Sequence, residues 1–171
     1  SGINFNGTSD WVSVAPTTKL PAHDQPVFTI AFWVKGPAPT VSPYDRKVFS
    51  EASTSTNTPL WNLGTANASG NQKFDPYVRN DASTTILNHP KSAANAFDNI
   101  WHHVAWVDAN GTVSLYIDGV KDATNFNYTR TPLTTNTVTF GAIQRAAVSN
   151  YVTAVVDDMR FYDNALSQAE V

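Results

Sequence analysis

The 171-residue sequence contains no cysteine and no basic run. The missing cysteine excludes disulfide bonds, thiol catalysis and zinc sites of the cysteine type. Lys and Arg total 11 against 14 for Asp and Glu, so the net charge is −3. An acidic chain without a basic patch lacks the electrostatic attraction that nucleic acids and anionic lipids exert on their protein partners. We therefore expect no nucleic-acid binding.

Long apolar segments are also missing. Every apolar run is of strand length, which excludes a transmembrane helix and membrane insertion, and no stretch has the pattern of a signal peptide. The length fits one domain covering residues 1–171. The abrupt start at Ser1 and the end at Val171, just after helix-start signals at Ser167 and Glu170, indicate a domain excised from a larger secreted protein.

Alternation with a period of two is the dominant pattern. Residues 27–34 place Phe28 and Ile30 on one face and Ala31 and Trp33 on the other. Residues 101–107 and 112–117 are joined by a turn containing Asn-Gly, a strong hairpin signal because both residues tolerate positive φ. Further strands are predicted at 11–14, 46–51, 59–63, 72–80, 84–88, 137–143 and 152–162, with loops at 36–45 and 53–58. Many short strands separated by turns favour a sandwich or jelly roll.

Five segments follow one another at residues 3–12, 28–35, 101–105, 115–119 and 156–167. Their sequences are INFNGTSDWV, FTIAFWVK, WHHVA, LYIDG and VDDMRFYDNALS. In this order they resemble the motifs of laminin-G-like domains in the concanavalin A-like lectin/glucanase superfamily. Residues 36–97 match poorly and correspond to variable loops in that class.

The resemblance implies an all-β fold, a two-sheet antiparallel β-sandwich of the concanavalin A-like jelly-roll type. It also implies an extracellular recognition module, secreted or on the cell surface, attached to other domains of a parent protein. A carbohydrate, such as a polysaccharide or glycan, is the leading ligand class. The alternative is a protein–protein, adhesion or structural module of a cell-surface or phage-like protein. Fold alone does not decide between them.

Catalysis is disfavoured by the scarcity of glutamate. Some relatives of this scaffold are glycoside hydrolases with E-x-D-x-x-E on one strand, and a retaining mechanism needs two carboxyl groups about 5 to 5.5 Å apart. This chain has only Glu51 and Glu170, which are far apart in sequence. Asp157 and Asp158 are adjacent, so on a strand their side chains point to opposite faces. The same argument prevents His102 and His103 from chelating one ion together.

A structural calcium ion is suggested by the resemblance. Asn6, Gly7 and Asp10 cluster near the first turn, and oxygen donors of this kind suit Ca²⁺. On a regular strand, Asp157 lies on the same face as Met159 and Phe161, which we assign to the core. A buried carboxylate needs a partner. That partner is either calcium, shared with the first turn, or backbone N–H groups.

Aromatic side chains provide the candidate ligand contacts, because sugar C–H groups pack on aromatic faces. Trp33, His103 and Tyr116 have the parity opposite to the apolar stripe and are predicted on an outer sheet face. For Trp33 and Tyr116 the family pattern favours packing over ligand contact, because it places these residue types there regardless of ligand. Trp61, Tyr77 and Arg79 lie in the variable middle and are predicted to contact a ligand. Trp101 is assigned to structural packing.

Overall fold

The structure is a computed structural model that describes residues 2–17 and 20–171. The described residues form a 3₁₀ helix at Ala22–Asp24 and the following strands: β1 (Ile3–Asn6), β2 (Val12–Val14), β3 (Val27–Lys35), β4 (Lys47–Ala52), β5 (Leu60–Thr65), β6 (Phe74–Arg79), β7 (Thr85–Asn88), β8 (His102–Ala109), β9 (Thr112–Ile117), β10 (Val120–Lys121), β11 (Thr137–Phe140), β12 (Ile143–Gln144), β13 (Val148–Ser149) and β14 (Thr153–Tyr162). Within this described part, no helix is long and apolar enough to span a membrane.

Two six-stranded antiparallel sheets form the sandwich. Sheet I has the order β1-β14-β3-β8-β9-β10, and sheet II has the order β2-β11-β4-β5-β6-β7. A small hairpin, β12–β13, pairs its two strands with each other and belongs to neither sheet. The predicted all-β, two-sheet antiparallel β-sandwich is therefore confirmed. The predicted strands are present with small shifts at their ends, except that the strand predicted at 137–143 ends at Phe140 and Ile143 begins β12.

The core lies between the two sheets and follows from strand alternation. Phe28 and Ile30 of β3 and Trp106 of β8 face Phe49 and Trp61 of sheet II, and all five are buried. The Trp61 ring meets Trp106 edge-on, with centroids 5.8 Å apart and planes 82° apart. Edge-to-face aromatic pairs add stabilisation beyond the apolar area they bury.

The turn between β8 and β9 has the predicted geometry. Asn110 has a φ of 55° and Gly111 a φ of 87°, so both adopt the left-handed conformation of a tight hairpin turn. The next turn repeats this feature at Asp118 and Gly119, with φ values of 54° and 75°, and leads into the short strand β10.

A bulge in β14 corrects the predicted position of Asp157. The register with β3 shifts between Asp157 and Arg160, and Asp158 has a φ of 49°. Because Asp157 pairs with Trp33, an outward residue of β3, its side chain lies on the outer face of sheet I. Phe161 beyond the bulge packs against the core. The prediction that Asp157 faces the core assumed regular alternation along the whole of β14, and it was wrong.

The C-terminal segment forms a turn, so the prediction of a helix beginning at Ser167 was wrong. The capping-box contacts are nevertheless present, because Ser167 N and Oγ donate to Glu170 Oε2 at 2.8 and 2.7 Å. The segment lies on the outer face of sheet I, where Leu166 N donates to Thr29 Oγ1 at 3.1 Å. Val171 packs there against the apolar group that includes Tyr116.

A buried acid–base pair attaches the 3₁₀ helix to sheet II. Glu51 points into the sandwich, is fully buried, and accepts hydrogen bonds from the backbone N–H of Ala22 and from His23 Nδ1. Burial lowers the pKa of His23, but the hydrogen bond and charge of Glu51, together with the charge of Asp24 and the Leu133 carbonyl, outweigh burial, so the pKa is raised. The His23 carbonyl accepts a hydrogen bond from Arg130.

Candidate ligand-binding site

The outer face of sheet II is built from three rows of paired residues. Asn62 of β5 pairs with Ser50 of β4 and Tyr77 of β6, and these three form the middle row. On one side lies the row that ends in Arg79 of β6, and on the other the row that contains Lys47 of β4. Paired residues share a face, and the alternate residues of these strands are in the core. The two outer rows are four residues apart along β6, or about 13 Å.

The β12–β13 hairpin covers part of this face. Ile143 packs against Ala52 and Leu60, with Tyr77 alongside, and Thr137 Oγ1 bonds with Gln144 Oε1 at 3.1 Å. Between the hairpin and the sheet lies a cavity of about 270 Å³, which we call the outer pocket. It is lined by Asp45, Lys47, Leu60, Asn62, Tyr77, Arg79, His89, Ile143, Arg145 and Asn150.

Tyr77 is held in place by its neighbours. Its ring stacks on the His89 imidazole, with centroids 4.5 Å apart and planes 20° apart. His89 Nδ1 lies 2.7 Å from Oδ1 of Asp75, a fully buried carboxylate whose Oδ2 accepts a hydrogen bond from Asn67 N at 3.0 Å. Tyr77 Oη also bonds with Thr85 Oγ1 at 3.0 Å. The pocket therefore has an aromatic wall that is oriented by contacts within the protein.

The pocket also concentrates unpaired hydrogen-bond donors. In the described part of the chain, eight buried side-chain polar atoms lack a hydrogen-bond partner, and four belong to residues lining this pocket. These four are Lys47 Nζ, Asn62 Nδ2, Arg79 Nε and Arg145 Nε. Lys47 Nζ is ion-paired with Asp45, so the donors that have no partner at all are those of Asn62, Arg79 and Arg145. Buried polar groups in folded proteins are nearly always paired. Such a cluster indicates a surface arranged to donate hydrogen bonds to a bound molecule.

Other atoms of the same residues are engaged and fix their positions. Asn62 Oδ1 accepts from Ser50 Oγ at 2.6 Å, Arg79 Nη2 donates to the Asn57 carbonyl at 2.5 Å, and Arg145 Nη2 donates to Ser149 Oγ at 2.9 Å. Lys47 Nζ lies 3.3 Å from Asp45 Oδ2.

Of the residues predicted to contact a ligand, Tyr77 and Arg79 line the outer pocket and Trp61 does not. Trp61 has 0% exposure and donates from Nε1 to Tyr128 Oη at 3.2 Å within the core. Its position next to outward-facing Asn62 on β5 explains the reversal, because neighbouring strand residues face opposite sides. The prediction that Trp61 contacts a ligand was wrong.

The outer-face residues of sheet I divide into two groups. Trp33 is 42% exposed and lies beside His103, with ring centroids 5.2 Å apart. Burial lowers the pKa of His103. Tyr116 has the predicted outward parity, but it is buried with Ala31, Ala105 and Val107, and Tyr162 and Val171 pack against this group. A ligand therefore has access to Trp33 and His103 but hardly to Tyr116.

Trp101 and His102 precede His103 in the sequence, and neither has the environment of His103: Trp101 is exposed and His102 is buried between two carboxylates. Trp101 is 42% exposed, so its assignment to structural packing was wrong. His102 is buried, with Nδ1 2.8 Å from Asp118 Oδ2 and Nε2 3.0 Å from Asp98 Oδ1. Burial lowers the pKa of His102, but the two carboxylates outweigh burial and raise it.

The four residues predicted to bind calcium do not form one site. Asn6 pairs with Thr153, four residues before Asp157 on β14, so Asp157 lies about 13 Å along the sheet. Asn6 Oδ1 already accepts from the backbone N–H groups of residues 8, 9 and 10. The Gly7 carbonyl accepts from Arg46 Nη1 at 3.3 Å, and Asp10 Oδ2 accepts from Asn6 N at 3.2 Å.

These contacts do not fit a calcium ion at the first turn. The oxygens there serve backbone donors and a guanidinium, whose positive charge opposes a cation. Asp157 Oδ1 accepts from Asp158 N at 2.9 Å, as in the hydrogen-bonding alternative. Among the residues described by the structure, no group of three or more His, Cys, Asp or Glu side chains could hold a metal. Calcium binding by this chain stays a prediction from the family resemblance.

Eight of the ten residues that line the outer pocket were not predicted from the sequence, among them Lys47, Asn62, His89 and Arg145. Alternation could have found Asn62, since it lies between apolar Trp61 and Leu63 and must face the opposite side. Arg145 carried no comparable signal, because its position depends on how the β12–β13 hairpin folds over sheet II.

A family model described as the concanavalin A-like lectin/glucanases superfamily matches residues 6–171. The chain therefore belongs to that superfamily, as the five sequence motifs indicated. No curated protein sequence matches the chain.

Solved structures of similar fold include binding modules. The CBM40 module of Ruminococcus gnavus IT-sialidase, bound to α2,3-sialyllactose, has a TM-score of 0.69 and 18% identity over 99% of this chain and 92% of the other. Domain 4 of the GH43 extracellular arabinanase AbnA from Geobacillus stearothermophilus, in complex with arabinotriose, has a TM-score of 0.69 and 20% identity over 98% and 72%. The binding domain of botulinum neurotoxin serotype D has a TM-score of 0.68 and 13% identity over 98% and 40%. At these identities, the likeness shows a shared fold.

Proposed function

We propose that this chain is a non-catalytic carbohydrate-binding module that holds a glycan in the outer pocket of sheet II. The observation that carries the proposal is the set of buried, unpaired donors in the pocket that Tyr77 lines: Asn62 Nδ2, Arg79 Nε and Arg145 Nε, beside Lys47 Nζ, which is paired with Asp45. Each N–H group can donate to a sugar oxygen. Binding a ligand that supplies acceptors would satisfy groups that are otherwise costly to bury.

The shape and lining of the pocket suit a sugar. Its volume of about 270 Å³ is near the lower end of the range for small-molecule sites, which suits one or two sugar rings. Tyr77 offers an aromatic surface against which sugar C–H groups can pack, while Asp45 and Asn150 add oxygen acceptors for hydroxyl groups. Contacts within the protein hold the Tyr77 ring, so less conformational entropy is lost on binding.

A non-catalytic role is supported by the positions of the two glutamates. Glu51 is fully buried and bonded to Ala22 and His23, whereas Glu170 is exposed and bonded to Ser167 at the other side of the sandwich. Neither lines the outer pocket. The pair therefore does not supply the two neighbouring carboxyl groups of a glycosidase.

Superfamily membership and the ligands of two structural neighbours support the same proposal. The sialidase module was solved with sialyllactose and the arabinanase domain with arabinotriose. By the same analogy, we propose that this module works outside the cell and tethers other domains of a parent protein to a polysaccharide. A protein-binding role would fit a flat or polar surface better than a cavity with an aromatic wall and unpaired donors.

The proposal is tested by screening the intact chain on a glycan array and measuring affinity for the best ligand by calorimetry. Tyr77→Ala is expected to lower the affinity at least about tenfold, the effect of losing about 1.4 kcal/mol. Trp33→Ala is the matched control, since it removes an exposed aromatic side chain from sheet I. Equal affinities for the wild type and Tyr77→Ala, or loss of binding only with Trp33→Ala, would refute the outer pocket as the site.

A further inference from the structure

The outer pocket is a positively charged cavity in an acidic protein. The chain has a net charge of −3, yet Lys47, Arg79 and Arg145 all line this pocket, and Asp45 is the one carboxylate lining it. Asp75 lies behind His89, with its oxygens bonded to that histidine and to Asn67 N. Three of the eleven Lys and Arg residues therefore line this one cavity, where they outnumber the carboxylate of Asp45.

Within the described part of the chain, the guanidinium groups of Arg79 and Arg145 have no acidic partner. In residues 2–17 and 20–171, no carboxylate oxygen lies within 4.0 Å of Arg79 or Arg145, although Asp108 and Asp158 pair with other arginines. Arg79 bonds to the Asn57 carbonyl and Arg145 to Ser149 Oγ, both neutral acceptors. Each retains a buried Nε–H without a partner. A guanidinium group that is partly desolvated and unpaired favours an anionic acceptor, above all a carboxylate.

Two nearly inaccessible donors add to the site. Lys47 is 2% exposed and Asn62 is 1% exposed, and both line the pocket. Asn62 Nδ2 has no hydrogen-bond partner, and Lys47 Nζ forms no hydrogen bond beyond its ion pair with Asp45. Lys47 Nζ is only partly neutralised by Asp45 at 3.3 Å. A neutral sugar would satisfy these donors with hydroxyl oxygens, but it would leave the excess positive charge uncompensated in a partly desolvated cavity.

From this arrangement we infer that the outer pocket is specific for an acidic glycan, one that carries a carboxylate or another anionic group on the sugar bound there. The inference rests on the proposed function and adds the charge of the ligand. Arg79 and Arg145 supply charge-assisted hydrogen bonds to the anionic group. Lys47 adds to the positive electrostatic potential of the pocket, and Asn62 and Tyr77 bind the neutral part of the sugar ring.

Matched oligosaccharides that differ only in charge test the inference. Calorimetry of the intact chain would compare oligogalacturonate with its methyl ester, and 3′-sialyllactose with the methyl ester of its sialic acid carboxylate. The acidic member of at least one pair is expected to bind about tenfold or more tightly, since hydrogen bonds to charged groups are worth about 1.5–3 kcal/mol. Its affinity should also fall as sodium chloride is raised from about 50 to about 500 mM, because salt screens charge interactions.

Arg145→Gln is expected to reduce affinity for the acidic member about tenfold and to reduce affinity for its uncharged ester by a smaller factor, because Gln keeps an N–H donor but loses the positive charge. Arg160→Gln is the charge-matched control, because Arg160 lies exposed on β14 of the opposite sheet. Equal binding of both members of each pair, or no effect of Arg145→Gln, would overturn the acidic-glycan inference. If a neutral glycan binds and Tyr77→Ala abolishes that binding, the proposed function stands and the inference alone fails. If no glycan binds, both fail.

Discussion

The His89 imidazole stacks on the Tyr77 ring at a centroid distance of 4.5 Å, and Asp75 Oδ1 holds the same imidazole through Nδ1 at 2.7 Å. This contact fixes an aromatic wall of the outer pocket from behind. His89 thus connects a fully buried carboxylate to the proposed ligand surface.

Replacing His89 with Ala is therefore expected to weaken glycan binding severalfold, because Tyr77 loses the ring that orients it. The free energy of unfolding should also fall by about 1–3 kcal/mol, since Asp75 keeps a buried oxygen without its partner. Calorimetry well below the Tm would measure the affinity, and urea denaturation the stability. His103→Ala, on the outer face of sheet I, serves as control. Unchanged affinity in His89→Ala would show that the stack does not support the site.

Replacing Trp61 with Ala is expected to lower the free energy of unfolding strongly, whereas replacing Trp101 with Ala is expected to change it little. Trp61→Ala removes a fully buried side chain that contacts Phe28, Phe49 and Trp106 and should cost about 3–5 kcal/mol of unfolding free energy. Trp101→Ala removes an exposed side chain and should change that free energy by about 0.5 kcal/mol or less. Chemical denaturation of both variants checks the comparison. A loss of several kcal/mol for Trp101→Ala would contradict its exposed position.

The buried pair of His23 and Glu51 predicts a dependence of stability on pH. The pKa of His23 is raised above its ordinary value of 6.5 by Glu51, against the opposing effect of burial. Protonation is therefore favoured in the folded state. The stabilising contribution is complete below the pKa of the unfolded chain and is lost as pH rises through the folded-state pKa. His102, whose pKa Asp118 and Asp98 raise in the same way, adds a contribution of the same sign.

Thermal melting between about pH 6 and about pH 9 should thus show a falling Tm. Glu51→Gln removes the charge that holds the proton on His23 and should flatten the His23 contribution. It should also destabilise the fold by about 1.5–3 kcal/mol near pH 6, since the buried pair loses its charge-assisted hydrogen bond. His102→Asn is the control that removes only the second contribution. A Tm that rises with pH over this range would contradict the assignment.

Strand alternation and turn chemistry predicted the sandwich, because the inward stripe of β3 and the Asn110-Gly111 turn are written in local sequence. They failed where local geometry breaks the pattern. The bulge after Asp157 places Asp157 and Phe161 on opposite faces of sheet I, although regular alternation predicts the same face for both. The C-terminal turn covers Tyr116 on the outer face of sheet I. Neither the bulge nor the position of the C-terminal turn can be predicted from a period-two pattern.

The candidate site was predicted only in part for a similar reason. Tyr77 and Arg79 were found as polar and aromatic residues of the variable middle, and Trp61 was wrongly grouped with them. Arg145 reaches the pocket through a hairpin whose fold over sheet II depends on tertiary packing of Ile143. Residues that are far apart in sequence and converge through such packing cannot be recognised from spacing alone.

The central claim is that the glycan binds at the outer pocket of sheet II, and the most direct test is nuclear magnetic resonance. The isotopically labelled chain would be titrated with the tightest ligand from the array, and backbone amide shifts would be mapped onto the two sheets. We expect the largest changes at Asn62, Tyr77, Arg79 and Arg145, with little change around Trp33 and His103. Shifts confined to the outer face of sheet I, with the pocket residues unmoved, would contradict the account.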